Sequence, residues 1–86
     1  MRFEFDAGKS VRNKAKHGVD FAEAQALWQD VERVDVPART RGEPRIATVG
    51  KLGTEVWVAI WTPRGDGVRI ISVRRARKGE RQLYGA

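Results

Sequence analysis

A tract of basic side chains near the carboxyl end is the first group in this sequence that could do chemistry. Six bases and one acid lie between residues 69 and 81, which gives the tract a net charge of +5. Arginine suits phosphate binding, because its planar guanidinium presents parallel donors to two phosphate oxygens. The tract therefore predicts a phosphate-binding face. The alternative is that these arginines form surface ion pairs with the acidic segment at residues 20–35.

The only histidine, His17, lies between Lys16 and Gly18. An imidazole exchanges its proton close to neutral pH, so His17 is a candidate general acid or base. The same position suits a structural role, since Gly18 favours the left-handed conformation that ends helices and the helix dipole favours a cation there. The sequence leaves both roles open.

Several classes of catalytic site are excluded because the sequence lacks their motifs. It contains no P-loop, no nucleophile elbow and no cysteine, and its one histidine has no second ligand at metal-binding spacing. These side chains can still support metal-independent RNA cleavage, in which one group takes the 2′-hydroxyl proton, another protonates the leaving oxygen, and cations stabilise the phosphate. No metal and no cofactor are expected.

Two tryptophans, Trp57 and Trp61, alternate on one face of a predicted strand. Aromatic rings so placed can stack on the bases of a single strand, or they can fill the core beneath helices. We expect Trp57 to be core. Trp61 is included among the substrate-binding candidates because it lies closer to the turn at residues 63–67.

The length of 86 residues allows one small domain, residues 1–86, with a net charge of +6. No apolar run in the sequence approaches the roughly 20 residues of a membrane span. The opening residues lack the apolar core of a signal peptide. Together with the absence of cysteine, these features predict a cytoplasmic protein with no membrane partner.

The elements that must position these residues follow from periodicity and turn signals. A short strand at 3–5 precedes a helix at 7–17. A second helix is expected to begin at Asp20, which forms a capping box with Glu23, and to place Val31 in the core.

Four strands follow in hairpin-like succession, with Pro37 ending the first and Gly53 in the turn between the second and third. In the last strand, alternation places Ile70, Ser72 and Arg74 on one face. The strands are predicted at 31–36, 45–52, 55–62 and 68–74, a polar loop at 38–44 and a closing helix at 76–84. The sequence therefore predicts an α+β fold, a small antiparallel sheet with two N-terminal helices and a short C-terminal helix.

Two blocks of the sequence resemble the BrnT-type ribonuclease toxins of bacterial type II toxin–antitoxin systems. The first runs from "FEFD" to "KHGVDFAEA" within residues 3–24, and the second is "RGDGVRIISVRRARKGERQLY" at residues 64–84. The likeness covers nearly the whole chain, in order. The chain departs from the family at Phe5, where tryptophan is usual, and at Val73, where alanine is usual.

The resemblance implies a RelE-like fold and a metal-independent endoribonuclease that cleaves RNA and arrests translation and growth. A cognate antitoxin is expected to neutralise it in a complex larger than one-to-one, and to bring that complex to operator DNA through its own DNA-binding part. Two alternatives remain, a non-catalytic basic nucleic-acid-binding module and an inactive toxin that retains only antitoxin binding.

The same resemblance implies a set of site residues. Trp61 is added to this set because of its position on the predicted strand. Arg74 is expected to stabilise the phosphate, with Arg69 or Arg75 assisting. The catalytic candidates are Arg74, Arg69, His17, Glu80 and Tyr84, and the substrate-binding candidates are Lys16, Arg75, Ser72 and Trp61.

Overall fold

A sheet of five strands, in the order β1-β5-β4-β3-β2, forms the centre of the molecule. The computed structural model describes residues 1–39 and 42–86, so part of the loop predicted at 38–44 lies outside the described residues. None of the described helices is both long and apolar enough to cross a membrane. The elements are β1 (Phe3–Glu4), α1 (Ala7–His17), a 3₁₀ helix (Glu23–Gln29), β2 (Val34–Ala38), β3 (Arg45–Leu52), β4 (Glu55–Arg64), β5 (Gly67–Arg75) and α2 (Lys78–Tyr84).

The sheet is mixed, and the prediction of a small antiparallel sheet is wrong on this point. Strands β2 to β5 pair in antiparallel succession, but β1 pairs in parallel with β5, with Phe3 opposite Val68 and Glu4 opposite Arg69. A hairpin turn dictates the antiparallel direction of neighbouring strands. No such turn joins β1 to β5, because every other strand lies between them in the chain, and tertiary packing sets their direction.

The N-terminal region contains one α-helix, and the prediction of two is wrong. The predicted capping box does form, because Glu23 N–H donates to Asp20 Oδ1 at 2.7 Å and Asp20 N–H donates to Glu23 Oε1 at 3.0 Å. The segment that follows is a 3₁₀ helix of seven residues. Its buried side chains, Ala24 and Leu27, are three residues apart, which matches the three residues per turn of a 3₁₀ helix, and the buried Phe21 lies three residues before Ala24.

Two further predictions are wrong, one for a residue before β2 and one for a residue within it, and the strand predicted at 31–36 begins at Val34. Val31, expected in the core, is 92% exposed. Pro37, expected to end the strand, lies inside β2 opposite Ile46. Proline is tolerated there because β2 is an edge strand, where a missing N–H breaks no bond to a further strand. By contrast, the turn at Gly53 is confirmed, with a φ of 64°.

A bulge in β5 changes which of its side chains share a face. Ser72 pairs with Ile60 and Ile70 pairs with Trp61, so Ile71 is an extra residue between them. One extra residue reverses the alternation beyond it. The prediction that Ile70 shares a face with Ser72 and Arg74 is therefore wrong, because Ile70 lies on the opposite side.

Each face of the sheet carries its own core. On the face covered by the 3₁₀ helix, Phe21 and Leu27 pack with Trp57 and Ile70. The prediction that Trp57 is core is thus confirmed. The other face packs Val49 and Val58 beneath α2, together with smaller residues, and Tyr84 lies against this second core.

Helix α1 is attached to the open edge of β5 through the buried side chain of Asn13. The Asn13 amide donates to the carbonyl of Val73 at 2.9 Å and accepts from the Val73 N–H at 3.2 Å. It also donates to the Val19 carbonyl at 2.7 Å. Strand β1 pairs only with Val68 and Arg69, so Asn13 takes the place of a strand partner further along β5.

Candidate functional site

A cleft of about 490 Å³ opens between α2 and the sheet, and we call it the α2 cleft. Small and branched apolar side chains from β2, β3 and β4 form its floor, and α2 forms one wall. Three arginines also line the cleft. The lining residues are Val36, Pro37, Ala38, Arg39, Arg45, Ala47, Ile60, Arg74, Glu80 and Leu83.

Within the α2 cleft, Arg74 and Glu80 form a two-bond ion pair. Both N···O distances are 2.7 Å, and the two side chains are 21% and 23% exposed. Glu80 also accepts the backbone N–H of Arg77 at 2.8 Å, which ties the pair to the start of α2. The hydrogen bonds from Arg74 lower the pKa of Glu80 to about 2, so this carboxylate is ionised at neutral pH.

Two arginines of the α2 cleft lie outside the basic tract and were not predicted. Arg45 begins β3, and among the described residues its buried Nε has no hydrogen-bond partner. A buried donor without a partner is costly and therefore uncommon in folded proteins. Arg39 lies just after β2. Only the pairing of β2 with β3 brings these two positions beside Arg74, and no local motif marks them.

The two arginines expected to assist Arg74 are engaged elsewhere. Arg69 shares the α2 face of the sheet but binds Glu4 of β1 at 3.0 Å. Arg75 lies on the opposite face, where it pairs with Glu55 and stands 5.6 Å from the centre of the Trp57 ring. The structure does not bring either side chain to the Arg74–Glu80 pair.

His17 lines a second, separate groove of about 300 Å³ between α1 and β5, which we call the α1 groove. It is the last residue of α1, and the N–H of Gly18, with a φ of 89°, closes the helix on the Lys14 carbonyl. The predicted helix end is confirmed. The α1 groove brings His17 together with Lys16 and Ser72; its lining is Lys9, Arg12, Asn13, Lys16, His17, Phe21, Ile71 and Ser72.

The two remaining candidates, Trp61 and Tyr84, both donate side-chain hydrogen bonds to neighbouring residues. Trp61 is half-buried, donates to Thr48 Oγ1 at 2.7 Å and packs edge-on against Trp28. The Tyr84 hydroxyl donates to Asp30, and this bond raises the pKa of Tyr84 to about 12. Tyr84 thereby fastens the end of α2 to the turn before β2.

Replacing Tyr84 with phenylalanine should lower the thermal midpoint by a few degrees at neutral pH, because Asp30 loses one of its three hydrogen-bond donors. The raised pKa of Tyr84 means that this stabilisation is full below pH 10.0 and is lost as the pH rises through about 12. The hydrogen bond from Tyr84 lowers the pKa of Asp30, so the stabilisation is also lost as the pH falls well below 3.8. Thermal unfolding of both proteins across this range measures the difference; a difference that does not change with pH would contradict the bond.

Comparison with protein-family models provides independent evidence. Residues 5–80 match the model of BrnT, the ribonuclease toxin of type II toxin–antitoxin systems. The match includes α1, β2 to β5, and both members of the Arg74–Glu80 pair, whereas Tyr84 lies beyond it. Among curated proteins, none matches the chain. The match covers most of the sequence, and the chain belongs to the BrnT family of ribonuclease toxins.

Proposed function

We propose that this protein is an endoribonuclease that cleaves RNA without a metal ion and so arrests translation and growth. The ribonuclease and toxin classes come from the family. The observation that carries the finer assignment is the α2 cleft, where the half-buried Arg74 lies with Arg39 and Arg45 over an apolar floor. Such a site binds an anion through charge-assisted hydrogen bonds and shields it from water.

The Arg74–Glu80 pair supplies both a phosphate ligand and a base. A phosphodiester that enters the α2 cleft competes with Glu80 for the two parallel donors of Arg74. As Glu80 loses these hydrogen bonds, its pKa moves from about 2 toward its ordinary value of 4.5. The displaced carboxylate then becomes a stronger proton acceptor beside the bound phosphate.

In the proposed reaction, Glu80 takes the proton from the RNA 2′-hydroxyl, and the 2′-oxygen attacks the adjacent phosphorus. The bond from phosphorus to the 5′-oxygen breaks, that oxygen takes up a proton from water, and Glu80 returns its proton to the solvent. Arg74 holds the extra negative charge of the transition state, with Arg39 and Arg45 nearby. The products are a 2′,3′-cyclic phosphate and a 5′-hydroxyl.

Cleavage without a metal ion is expected from the types of side chain available. Across residues 1–39 and 42–86, no three His, Asp or Glu side chains lie together in a way that could hold a metal. The charge on the phosphate would instead be met by arginine, which is always protonated.

The protein should therefore cleave single-stranded RNA in the presence of EDTA. The expected products carry 2′,3′-cyclic phosphate ends, which mass spectrometry identifies. RNA with 2′-O-methyl groups is the matched control, because it lacks the nucleophile and should stay intact. Intact unmodified RNA after incubation with folded protein would contradict the proposal, and RNA binding without products would favour the non-catalytic module instead.

The cellular part of the proposal concerns the antitoxin. A type II toxin has a cognate protein antitoxin, and this follows from the family. We propose further that the antitoxin binds this chain in a complex larger than one-to-one and brings it to operator DNA. Expression of the toxin alone should stop growth, and co-expression of the antitoxin should restore it.

A further inference from the structure

Helix α1 presents a stripe of three exposed basic side chains to the α1 groove. Lys9, Arg12 and Lys16 occupy positions i, i+3 and i+7 of α1, and all three line the groove. At 3.6 residues per turn, these positions fall within about 60° of arc on the helix surface. Over seven residues at 1.5 Å each, the stripe extends for about 10 Å along the helix. We call these three residues the α1 stripe.

The α1 stripe differs from Arg69, Arg74 and Arg75, each of which is paired with a glutamate. Among the described residues, no carboxylate lies within 4 Å of Lys9, Arg12 or Lys16. The pKa of Asp6, at the start of α1, is lowered mainly by the hydrogen bond that its carboxylate accepts from the Lys9 N–H. The nearby charges of Arg12 and Lys9 lower it further. By contrast, Lys14 on another side of α1 is paired with Glu23 at 2.8 Å.

The α1 groove and the α2 cleft are neighbours across one pair of strand residues, although they share no lining residue. Ser72 lines the α1 groove, and its partner across the sheet, Ile60, lines the α2 cleft. Ser72 lies on the same face of the sheet as Arg74, because the two residues alternate along β5 beyond the bulge. An extended strand can therefore pass along β5 from the α1 stripe, over Ser72, to Arg74.

We propose that the α1 stripe binds phosphates of the RNA substrate that flank the scissile phosphate. This inference rests on the proposed ribonuclease function and adds a second binding surface to it. Lys9, Arg12 and Lys16 hold the backbone of single-stranded RNA in the α1 groove, and Ser72 marks the path to the α2 cleft. Such contacts follow the backbone and carry no base specificity of their own.

The test compares two double variants that each remove two lysine charges. Lys9→Gln with Lys16→Gln changes the α1 stripe, whereas Lys14→Gln with Lys51→Gln changes two exposed lysines outside both grooves and outside the basic tract. Glutamine is as good a helix former as lysine, and Lys51 is exposed on β3, so both variants should fold. The probe is a fluorescent single-stranded RNA with 2′-O-methyl groups, which binds without being cleaved, and its affinity is measured over a range of salt concentrations.

Each phosphate contact adds about 0.7 to the slope of log affinity against log salt for single strands. Loss of two contacts should reduce the slope by about 1.4, and adding Arg12→Gln should bring the reduction to about 2. Wild type should then lose about seven-fold more affinity than the Lys9 and Lys16 variant between about 50 and 200 mM salt. The Lys14 and Lys51 variant should keep the wild-type slope.

Equal slopes for wild type and the α1 stripe variant would overturn the inference, and so would a wild type that does not bind the probe. The proposed function fails separately. If the slope falls as expected but unmodified RNA stays intact, the α1 stripe binds RNA and the protein is not a nuclease. If wild type and the variant cleave RNA with the same KM, the nuclease remains and the α1 stripe is not part of its binding surface.

Discussion

Replacing Arg74 with alanine is expected to lower kcat/KM for RNA cleavage by about two to three orders of magnitude. That is the usual effect of removing one donor that stabilises developing charge in a transition state. The substitution also frees Glu80, but a carboxylate without a bound phosphate beside it does not restore the reaction. Arg74→Lys keeps the charge and loses the two parallel donors, so it should recover only a small part of the activity.

Activity and stability must be separated in this experiment. Loss of the half-buried ion pair should cost about 1 to 2 kcal/mol in the free energy of unfolding, between the values for exposed and buried pairs. Rates are therefore measured well below the thermal midpoint of each protein. Arg33→Ala is the matched control, because Arg33 is also half-buried but lies by the 3₁₀ helix, where it donates to the Asp30 carbonyl. A fully active Arg74→Ala protein would rule out Arg74 as the phosphate ligand.

The largest loss of stability is expected from Asn13→Ala, at about 3 kcal/mol. Asn13 is only 8% exposed, and its amide satisfies three backbone groups, the N–H and carbonyl of Val73 and the carbonyl of Val19. A buried polar group left without a partner costs about 1 to 3 kcal/mol. The sum is a large share of the roughly 5 to 15 kcal/mol that stabilises a small domain.

Urea unfolding of the variant and wild type measures this loss. Val11→Ala is the control, because Val11 is 68% exposed on the same helix and reports only helix propensity. Asn13→Asp keeps an acceptor for the Val73 N–H but donates no proton to either carbonyl, so it should also be destabilised. A loss for Asn13→Ala no larger than that for Val11→Ala would show that α1 is held to β5 by apolar packing alone.

The elements that could be predicted from the sequence are those formed by contacts between residues close together in the chain. The bounds of α1, its end at Gly18, and the β3 strand with its turn at Gly53 all follow from local periodicity and from glycines that adopt positive φ. The reciprocal bonds of Asp20 and Glu23 are local too. Residues only a few positions apart in the sequence can form these contacts without the rest of the fold.

The candidate site was predictable in its residue types and only partly in its arrangement. Arg74 and Glu80 were both candidates because of their side-chain types. Their ion pair forms only because α2 packs next to β5. Arg45 and Arg39 carry no local signal, since the α2 cleft arises from the pairing of three strands. Tyr84, predicted to be catalytic, has its hydroxyl on Asp30 through a contact between residues distant in the chain.

By itself, then, the sequence determined the chemical inventory and the short-range elements: the basic tract, the helix before Gly18, and the succession of antiparallel hairpins. Only the tertiary structure decided the parallel pairing of β1 with β5, the bulge at Ile71, and the division of the cations between two grooves. The reason is physical. A helix turn or hairpin is stabilised by bonds between near neighbours, whereas strand register and side-chain convergence depend on contacts between residues far apart in the chain.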